Sequence, residues 1–418
     1  MAAESLLIEG GHCLRGSVLI GGAKNAALPA CVASLLTDEP LVLHRVPNLR
    51  DVSTILFTLS DLGKRVVRDE SGAVLSSDRP LSVEANAYSV RQMRASFLVL
   101  GPLIARLGQA IVPLPGGCRL GARPVDLHLQ GLRALGARIE ECGGAVHARA
   151  DRLQGAKIDL AFPSVGATEQ ILMAAALADG ETTVTNASIE PEVLDLVDLL
   201  RAMGAEIAVT DREIRIAGRD RLHGAEHRLI PDRHEAGTYL LAGAATGGRV
   251  TVRGADAGTI EAFLKVLRET GREVTWDGDE ITVDGAGASR PTEVVTAPHP
   301  GFPTDLHPQL AAYLSLVPGT SAIEETIFEG RFAYVRSLCT MGARISHAGR
   351  RVTIVGVEAL RAAEVEATDI RAGAALVIAA LAAGGTSMIR DLSHLDRGYD
   401  DMETKLRELG ASIERREA

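Results

Sequence analysis

The chain has 418 residues, of which 46% are hydrophobic, 23% charged and only 3% aromatic, and its formal net charge is −10. That length holds roughly two to three domains with sizeable cores, while the acidic balance argues against a general nucleic-acid or membrane-surface binder, both of which need a net basic face. The five scattered cysteines, Cys13, Cys31, Cys118, Cys142 and Cys339, show no C-x-x-C spacing, which fits a reducing compartment better than a disulfide framework.

The first residues, Met-Ala-Ala-Glu-Ser-Leu-Leu-Ile-Glu-Gly, carry an acid where an export signal carries bases, and no long apolar run follows. Apolar runs such as 374–383 fall well short of the roughly 20 residues of a membrane-spanning helix. A cytoplasmic location is therefore expected. The first helix predicted covers 25–36, apolar and rich in small residues, and is entered through Gly21-Gly22-Ala23-Lys24-Asn25. The turn sets Lys24 near a helix N-terminus, where backbone N–H groups and the helix dipole favour an anion. It is not a P-loop, because G-x-x-x-x-G-K-[ST] is absent. A solvated lysine is the alternative.

An amphipathic segment then ends at Leu62-Gly63-Lys64-Arg65-Val66, where glycine closes the last helical turn and a strand begins. The same junction returns at 135–139, 203–207, 270–274, 341–345 and 409–413, its glycines 73, 68, 67, 71 and 68 residues apart. Six units of about 70 residues follow. Each has an apolar helix, predicted over 25–36, 95–107, 167–177, 236–245, 310–316 and 371–382. A strand pair rich in Val, Ile and Thr is expected next, then an amphipathic helix such as 193–203. One buried and one solvent-facing helix per unit, both covered by sheet, makes an α/β (α+β) fold. Three units amount to roughly 210 residues, a normal domain size. Two three-repeat domains with a catalytic cleft between them are expected. A tandem solenoid is the competing architecture.

Several short segments carry charge that a structural turn would not require. Arg94 heads the second apolar helix as Lys24 heads the first, and Thr368-Asp369-Ile370-Arg371 heads the sixth. Repeat symmetry thus gathers cations at helix N-termini, which suits an anionic ligand. Pro113 to Asp126 contains Gly116-Gly117-Cys118-Arg119, a sterically open turn with one thiol closely followed by two cations, Arg119 and Arg123. Nearby positive charge raises a thiol's thiolate fraction. In Phe302-Pro303-Thr304-Asp305-Leu306-His307, Asp305 is either a helix N-cap or a general base. His299, Asp305 and His307 lack a further ligand at recognisable spacing, so no metal is predicted. His234-Glu235-Ala236-Gly237-Thr238 is not H-E-x-x-H, and its histidine reads as structural. Glu329-Gly330-Arg331 and Asp396-Arg397-Gly398 each set an arginine beside a glycine, suited to carboxylate or phosphate recognition or to a salt bridge at the start of a helix.

Taken together, Gly-Ala-Lys-Asn, Met-Arg-Ala-Ser, Leu-Pro-Gly-Gly-Cys, Gly-Ala-Arg-Pro-Val-Asp-Leu-His, Pro-Asp-Arg, Ala-Pro-His-Pro-x-Phe-Pro-Thr-Asp, Phe-Glu-x-Arg-Phe, Ala-Thr-Asp-x-Arg-Ala and Asp-Arg-Gly-Tyr follow one another in this order. Over essentially its whole length the chain resembles the UDP-N-acetylglucosamine 1-carboxyvinyltransferases of the enolpyruvyl transferase family. The resemblance implies a two-domain, inside-out α/β barrel of six βαβαββ-like repeats, three per domain. Residues 23–231 would form the domain carrying the Cys118 loop, and 1–22 plus 232–418 the second, with the active site in the cleft between them. It also implies transfer of the enolpyruvyl group of phosphoenolpyruvate to the 3-hydroxyl of UDP-N-acetylglucosamine, with release of phosphate and no cofactor or metal. Neither nucleic acid, membrane nor an obligate protein partner is implied.

By match to the motifs, Cys118, Asp305, Lys24 and Arg397 would be catalytic, Cys118 as proton donor and Asp305 as base. Lys24, Asn25, Arg123, Arg331, Asp369, Arg371 and Arg397 would bind phosphoenolpyruvate. Asn25, Arg94, Arg123, Pro124, Val125, Asp126, Leu127, Ser164, Val165, Gly166, Asp305 and Ile327 would contact the UDP-sugar. A thiol at 118 further implies alkylation by the epoxide fosfomycin. The chain departs from the family pattern at Pro163, where many members carry lysine, at Gly330, a common asparagine, and at Ala333-Tyr334. A paralogue acting on another uridine nucleotide or on shikimate 3-phosphate, and an inactive sugar-nucleotide sensor, are the alternatives.

Overall fold

The computed structural model describes residues 4–115 and 125–417. These divide into two compact units: an inserted unit of residues 22–115 and 125–230, and a terminal unit of residues 4–21 and 231–417. Each has its own hydrophobic core.

In the inserted unit the helices Lys24–Ala33, Leu100–Leu107 and Val165–Ala175 are buried along most of their length. Alanine and other small residues let them approach closely, and Leu100–Leu107 packs directly on Val165–Ala175. The amphipathic helices Arg50–Leu62, Asp126–Ala134 and Pro191–Ala202 bury one face and leave the other to solvent. Three sheets complete the unit, in the orders Ala225–Arg228, Leu41–His44, Gly72–Ser77, Lys64–Asp69; Gln109–Pro113, Ala145–Arg149, Arg138–Cys142; and Glu206–Thr210, Glu213–Ala217, Glu181–Thr185, Lys157–Asp159.

The terminal unit repeats this plan. Helices Arg233–Ala245, His307–Leu314 and Ile370–Ala382 pack against one another at its centre. Glu261–Glu269, Tyr334–Thr340 and Met402–Glu408 are the amphipathic partners. The chain's first strands belong here. Glu4–Gly10 lies antiparallel between Gly385–Arg390 and Ser412–Glu417, and Arg15–Leu19 runs parallel to Arg249–Arg253. Leu6 and Ile8 point into the core, each burial worth roughly 1.5–3 kcal/mol.

Two local expectations are corrected. A single strand, not a pair, separates the two helices of a unit: Glu181–Thr185 stands alone between Val165–Ala175 and Pro191–Ala202, and the hairpin of Glu206–Thr210 with Glu213–Ala217 comes after the second helix. The glycine that ends each amphipathic helix makes this possible. All six have positive φ, from 88° at Gly271 to 116° at Gly63, and turn the chain directly into the hairpin. The helix expected over 95–107 begins instead as a 3-10 turn, Arg94–Val99, before the α-helix Leu100–Leu107. Pro102 has no N–H to offer Leu98, so an α-helical bond across that step is lost. No described helix is long and apolar enough to cross a membrane.

Candidate active site

In the terminal unit, the loop before helix His307–Leu314 closes with a 3-10 turn, Thr304–Leu306. Asp305 is not an N-cap. That position of the following helix is Leu306, with no side-chain cap. The Asp305 carboxylate instead accepts from Arg331 Nη2 on Oδ1 at 2.5 Å, and from Arg371 Nη2 and Nε on Oδ2 at 2.9 and 3.1 Å. Arg331 and Arg371 are 1% and 3% exposed, while the Asp305 side chain is 23% exposed. The carboxylate is therefore the solvent-facing end of a buried pair of guanidinium groups.

Each arginine is held from behind. Arg331 Nε donates to Thr304 Oγ1 at 3.2 Å, and its guanidinium lies 4.9 Å from the Phe328 ring centroid. Thr304 Oγ1 donates to Glu325 Oε2 at 2.9 Å, which also meets His307 Nδ1 at 2.8 Å, and His307 Nε2 meets Tyr334 Oη at 2.8 Å. Burial pushes the His307 pKa down against the pull of Glu325. Burial also works against the Glu325 charge, but His307 and the N–H groups of Ile327 and Phe328 hold its carboxyl below the usual range. The two shifts agree on a neutral imidazole donating from Nδ1 to a carboxylate and accepting at Nε2 from the tyrosine. Arg371 stands at the head of helix Ile370–Ala382, whose N-cap Asp369 accepts from the N–H groups of Arg371 and Ala372 at 2.9 and 3.0 Å. Its Nη1 donates to Tyr399 Oη at 3.2 Å; that hydroxyl also meets Thr238 Oγ1 at 3.0 Å and accepts from Gln309 Nε2 at 3.1 Å. Arg397, half-buried, ends the turn Leu395–Arg397 just before Tyr399.

In the inserted unit, Lys24 is the first residue of its helix, followed by Asn25, and its ammonium lies 3.5 Å from Asp51 Oδ2, both side chains buried. Arg94 starts the 3-10 turn and is half-buried. Ser164 caps helix Val165–Ala175 by accepting from Ala167 N–H at 3.4 Å. Val125 and Leu127 are half-buried, and Asp126 is exposed in the first turn of its helix. His128 ties three of the predicted sugar-nucleotide segments together. Its ring meets Phe97 edge-on at 5.7 Å, its Nδ1 lies 3.4 Å from Gln170 Oε1, and its Cε1 would stand 3.0 Å from a Cβ on Gly166. Burial, helped by the positive charge of Arg94, pushes the His128 pKa down to about 4, against Gln170 and Asp126. Cys118, Arg123 and Pro124 lie outside the described residues, as does Arg119.

Among the described residues no group of histidine, cysteine and carboxylate side chains could hold a metal ion. His307, part of the one set that invited that reading, has both ring nitrogens in the Glu325–Tyr334 chain.

A family model described as EPSP synthase (3-phosphoshikimate 1-carboxyvinyltransferase) matches residues 8–406. The chain is 49% identical over 415 residues, 99% of each sequence, to UDP-N-acetylglucosamine 1-carboxyvinyltransferase 2 of Carboxydothermus hydrogenoformans. It is 48% identical over 407 residues, 96% of each, to the UDP-N-acetylglucosamine 1-carboxyvinyltransferase of Finegoldia magna. The chain belongs to the UDP-N-acetylglucosamine 1-carboxyvinyltransferase family.

Among solved structures, the enolpyruvyl transferase NikO from Streptomyces tendae matches at a TM-score of 0.90 and 26% identity over the full length of both chains. EPSP synthase from Acinetobacter baumannii matches at 0.78 and 18%, covering 99% of this chain and 100% of its own, a likeness of fold alone. This member of the UDP-N-acetylglucosamine 1-carboxyvinyltransferase family thus has the enolpyruvyl transferase fold.

In this transferase, sequence reasoning missed the groups that hold the arginines. Tyr399 stood inside the quoted Asp-Arg-Gly-Tyr motif without a role. Glu325 follows the strand Thr320–Glu324, and nothing local says that Glu324 is exposed and Glu325 buried. Ile327, assigned above to the UDP-sugar, has its N–H committed to Glu325 Oε1 at 2.8 Å.

Proposed function

We propose that this chain transfers the enolpyruvyl group of phosphoenolpyruvate to the 3-hydroxyl of UDP-N-acetylglucosamine and releases phosphate, the first committed step of peptidoglycan synthesis. The observation that carries the reading is the partly exposed Asp305 carboxylate, held by two buried arginines in a chain that matches relatives of this name end to end.

In the proposed reaction Asp305 accepts the proton of the 3-hydroxyl as that oxygen bonds to C2 of phosphoenolpyruvate. C3 takes a proton from the Cys118 thiol, giving a tetrahedral intermediate. The bond from C2 to the phosphate oxygen then breaks, C3 loses a proton, and the double bond is restored in the transferred group. Lys24, Arg123 and Arg397, with Arg331 and Arg371, hold the phosphate and carboxylate of the substrate. Fixed cations beside developing negative charge are the largest catalytic contribution expected of such a site. The UDP-sugar is assigned to Asn25, Arg94, residues 123–127, Ser164, Val165, Gly166, Asp305 and Ile327. A cytoplasmic enzyme working on two anionic small molecules fits this reading.

Thermal denaturation tests the acceptor. A ligand of the native state raises its stability, by about 2.7 kcal/mol at a hundred times its Kd. UDP-N-acetylglucosamine should raise the melting temperature and shikimate 3-phosphate should not. The reverse pattern, or no shift with either, contradicts the assignment.

A further inference from the structure

Resting on that reading, we infer that Asp305 acts, before phosphoenolpyruvate binds, as an internal stand-in for that substrate's anionic group. Arrival of the substrate on Arg331 and Arg371 is then what frees Asp305 to serve as base.

Three observations lead here. First, two buried guanidinium groups share one carboxylate. Buried charges are ordinarily paired, and the other acids close by also serve other groups, although the charge of Asp232 favours the Arg371 cation as well. Asp369 caps its helix, Asp232 caps Arg233–Ala245, and Glu325 is taken by His307, Thr304 and two backbone N–H groups. Taken by itself, the triad of two guanidinium groups and one carboxylate carries one positive charge, which a small anion would balance.

Second, the Asp305 oxygens already accept three arginine N–H groups. A carboxylate offers about four acceptor sites. A hydroxyl that must hand its proton to Asp305 meets a group whose lone pairs are mostly committed, and at least one guanidinium has to let go first.

Third, the arginines are the anchored members. Thr304 and Phe328 hold Arg331, and Tyr399 holds Arg371, so both keep their place when Asp305 turns away. Asp305 alone of the three faces solvent. A carboxylate or phosphate oxygen pair fits the same arginine forks that the aspartate fills. The exchange makes the base available only when the second substrate is present. It also lowers the apparent affinity for that substrate by the fraction of time the triad is open: closed nine-tenths of the time, about tenfold.

The test is calorimetric titration of the full-length protein with phosphoenolpyruvate, in the presence of UDP-3-deoxy-N-acetylglucosamine, which has no hydroxyl to react. Asp305→Asn should bind phosphoenolpyruvate about tenfold more tightly than the wild type. In an Arg371→Lys background the same change should give a clearly smaller gain, since competition for that guanidinium is gone. Unchanged or weaker binding by Asp305→Asn overturns the inference. So does an equal gain in both backgrounds, which is removal of a repelling charge and nothing more. Thermal scans with inorganic phosphate give a second readout. Asp305→Asn should melt lower than the wild type without phosphate and gain more from it, and equal gains again refute the exchange. If the wild type binds no phosphoenolpyruvate at all, the functional assignment itself fails and takes this inference with it.

Discussion

Arg331 and Arg371 come to Asp305 from 26 and 66 residues along the chain. Their meeting is a product of the fold, whereas each residue's chemical type was legible in the sequence. Lys24, Asp305 and Arg371 could be singled out because they stand at the heads of apolar helices, where a charge is conspicuous. Glu325, Tyr399 and His128 could not, because their partners are set by tertiary packing and have no periodic signature. At this scale, Asp305→Ala should lower kcat by about 10²–10⁴-fold, the range for loss of a positioned proton acceptor, with a smaller change in UDP-N-acetylglucosamine binding. Steady-state kinetics with unaltered kcat would remove Asp305 as the base. Fosfomycin should add its mass to the peptide containing Cys118, and Cys118→Ser should lose both the adduct and most turnover while still binding the sugar nucleotide. Labelling of another cysteine instead would contradict the role given to that thiol.

His128 supplies a pH dependence. Its folded pKa, about 4, lies below its ordinary value of 6.5, so the folded state binds fewer protons than the unfolded one. The stability it contributes is whole above about pH 6.5 and is lost as the pH falls towards 4, by roughly 3 kcal/mol. Denaturant midpoints at pH 7 and pH 4.5 should therefore diverge in the wild type and lie closer in His128→Gln. Equal pH dependence in the two proteins would mean that the buried imidazole does not carry it.

Among the elements, the apolar and amphipathic helices of each unit were legible from composition and periodicity, and the glycine stops from their repetition. The pairing of strands was not. A run such as Thr182 to Thr185 has the same alternation whether it stands alone or belongs to a hairpin, and only the positive-φ glycine places the hairpin after the second helix. Helix Ile370–Ala382 shows how an element positions a side chain of the proposed site. Its N-cap, Asp369, fixes the N–H groups of Arg371 and Ala372 and so the point from which the Arg371 side chain departs. Asp369→Ala should cost about 1 kcal/mol of stability, read as a denaturant midpoint, and should raise KM for phosphoenolpyruvate. A midpoint unchanged from wild type would show that water replaces the cap at no cost.

For the whole molecule, six glycines at near-constant spacing disclosed six units, and unit size suggested their grouping in threes. The placement of the first strands was beyond the pattern of the residues, since Glu4–Gly10 pairs with strands that begin at Gly385 and Ser412. Such long-range pairing leaves no local trace. The molecule as a whole is acidic, with a net charge of −10. The cations proposed to recognise two anionic substrates are therefore a local feature of helix heads and buried arginines, and cannot be inferred from overall charge. The most direct test of the function drawn from them is release of phosphate from phosphoenolpyruvate by the purified protein, with and without UDP-N-acetylglucosamine, followed by mass analysis of the nucleotide. The account predicts release only when the sugar nucleotide is present, and a product heavier by one enolpyruvyl group. Release without that product, or with shikimate 3-phosphate as the better acceptor, would contradict it.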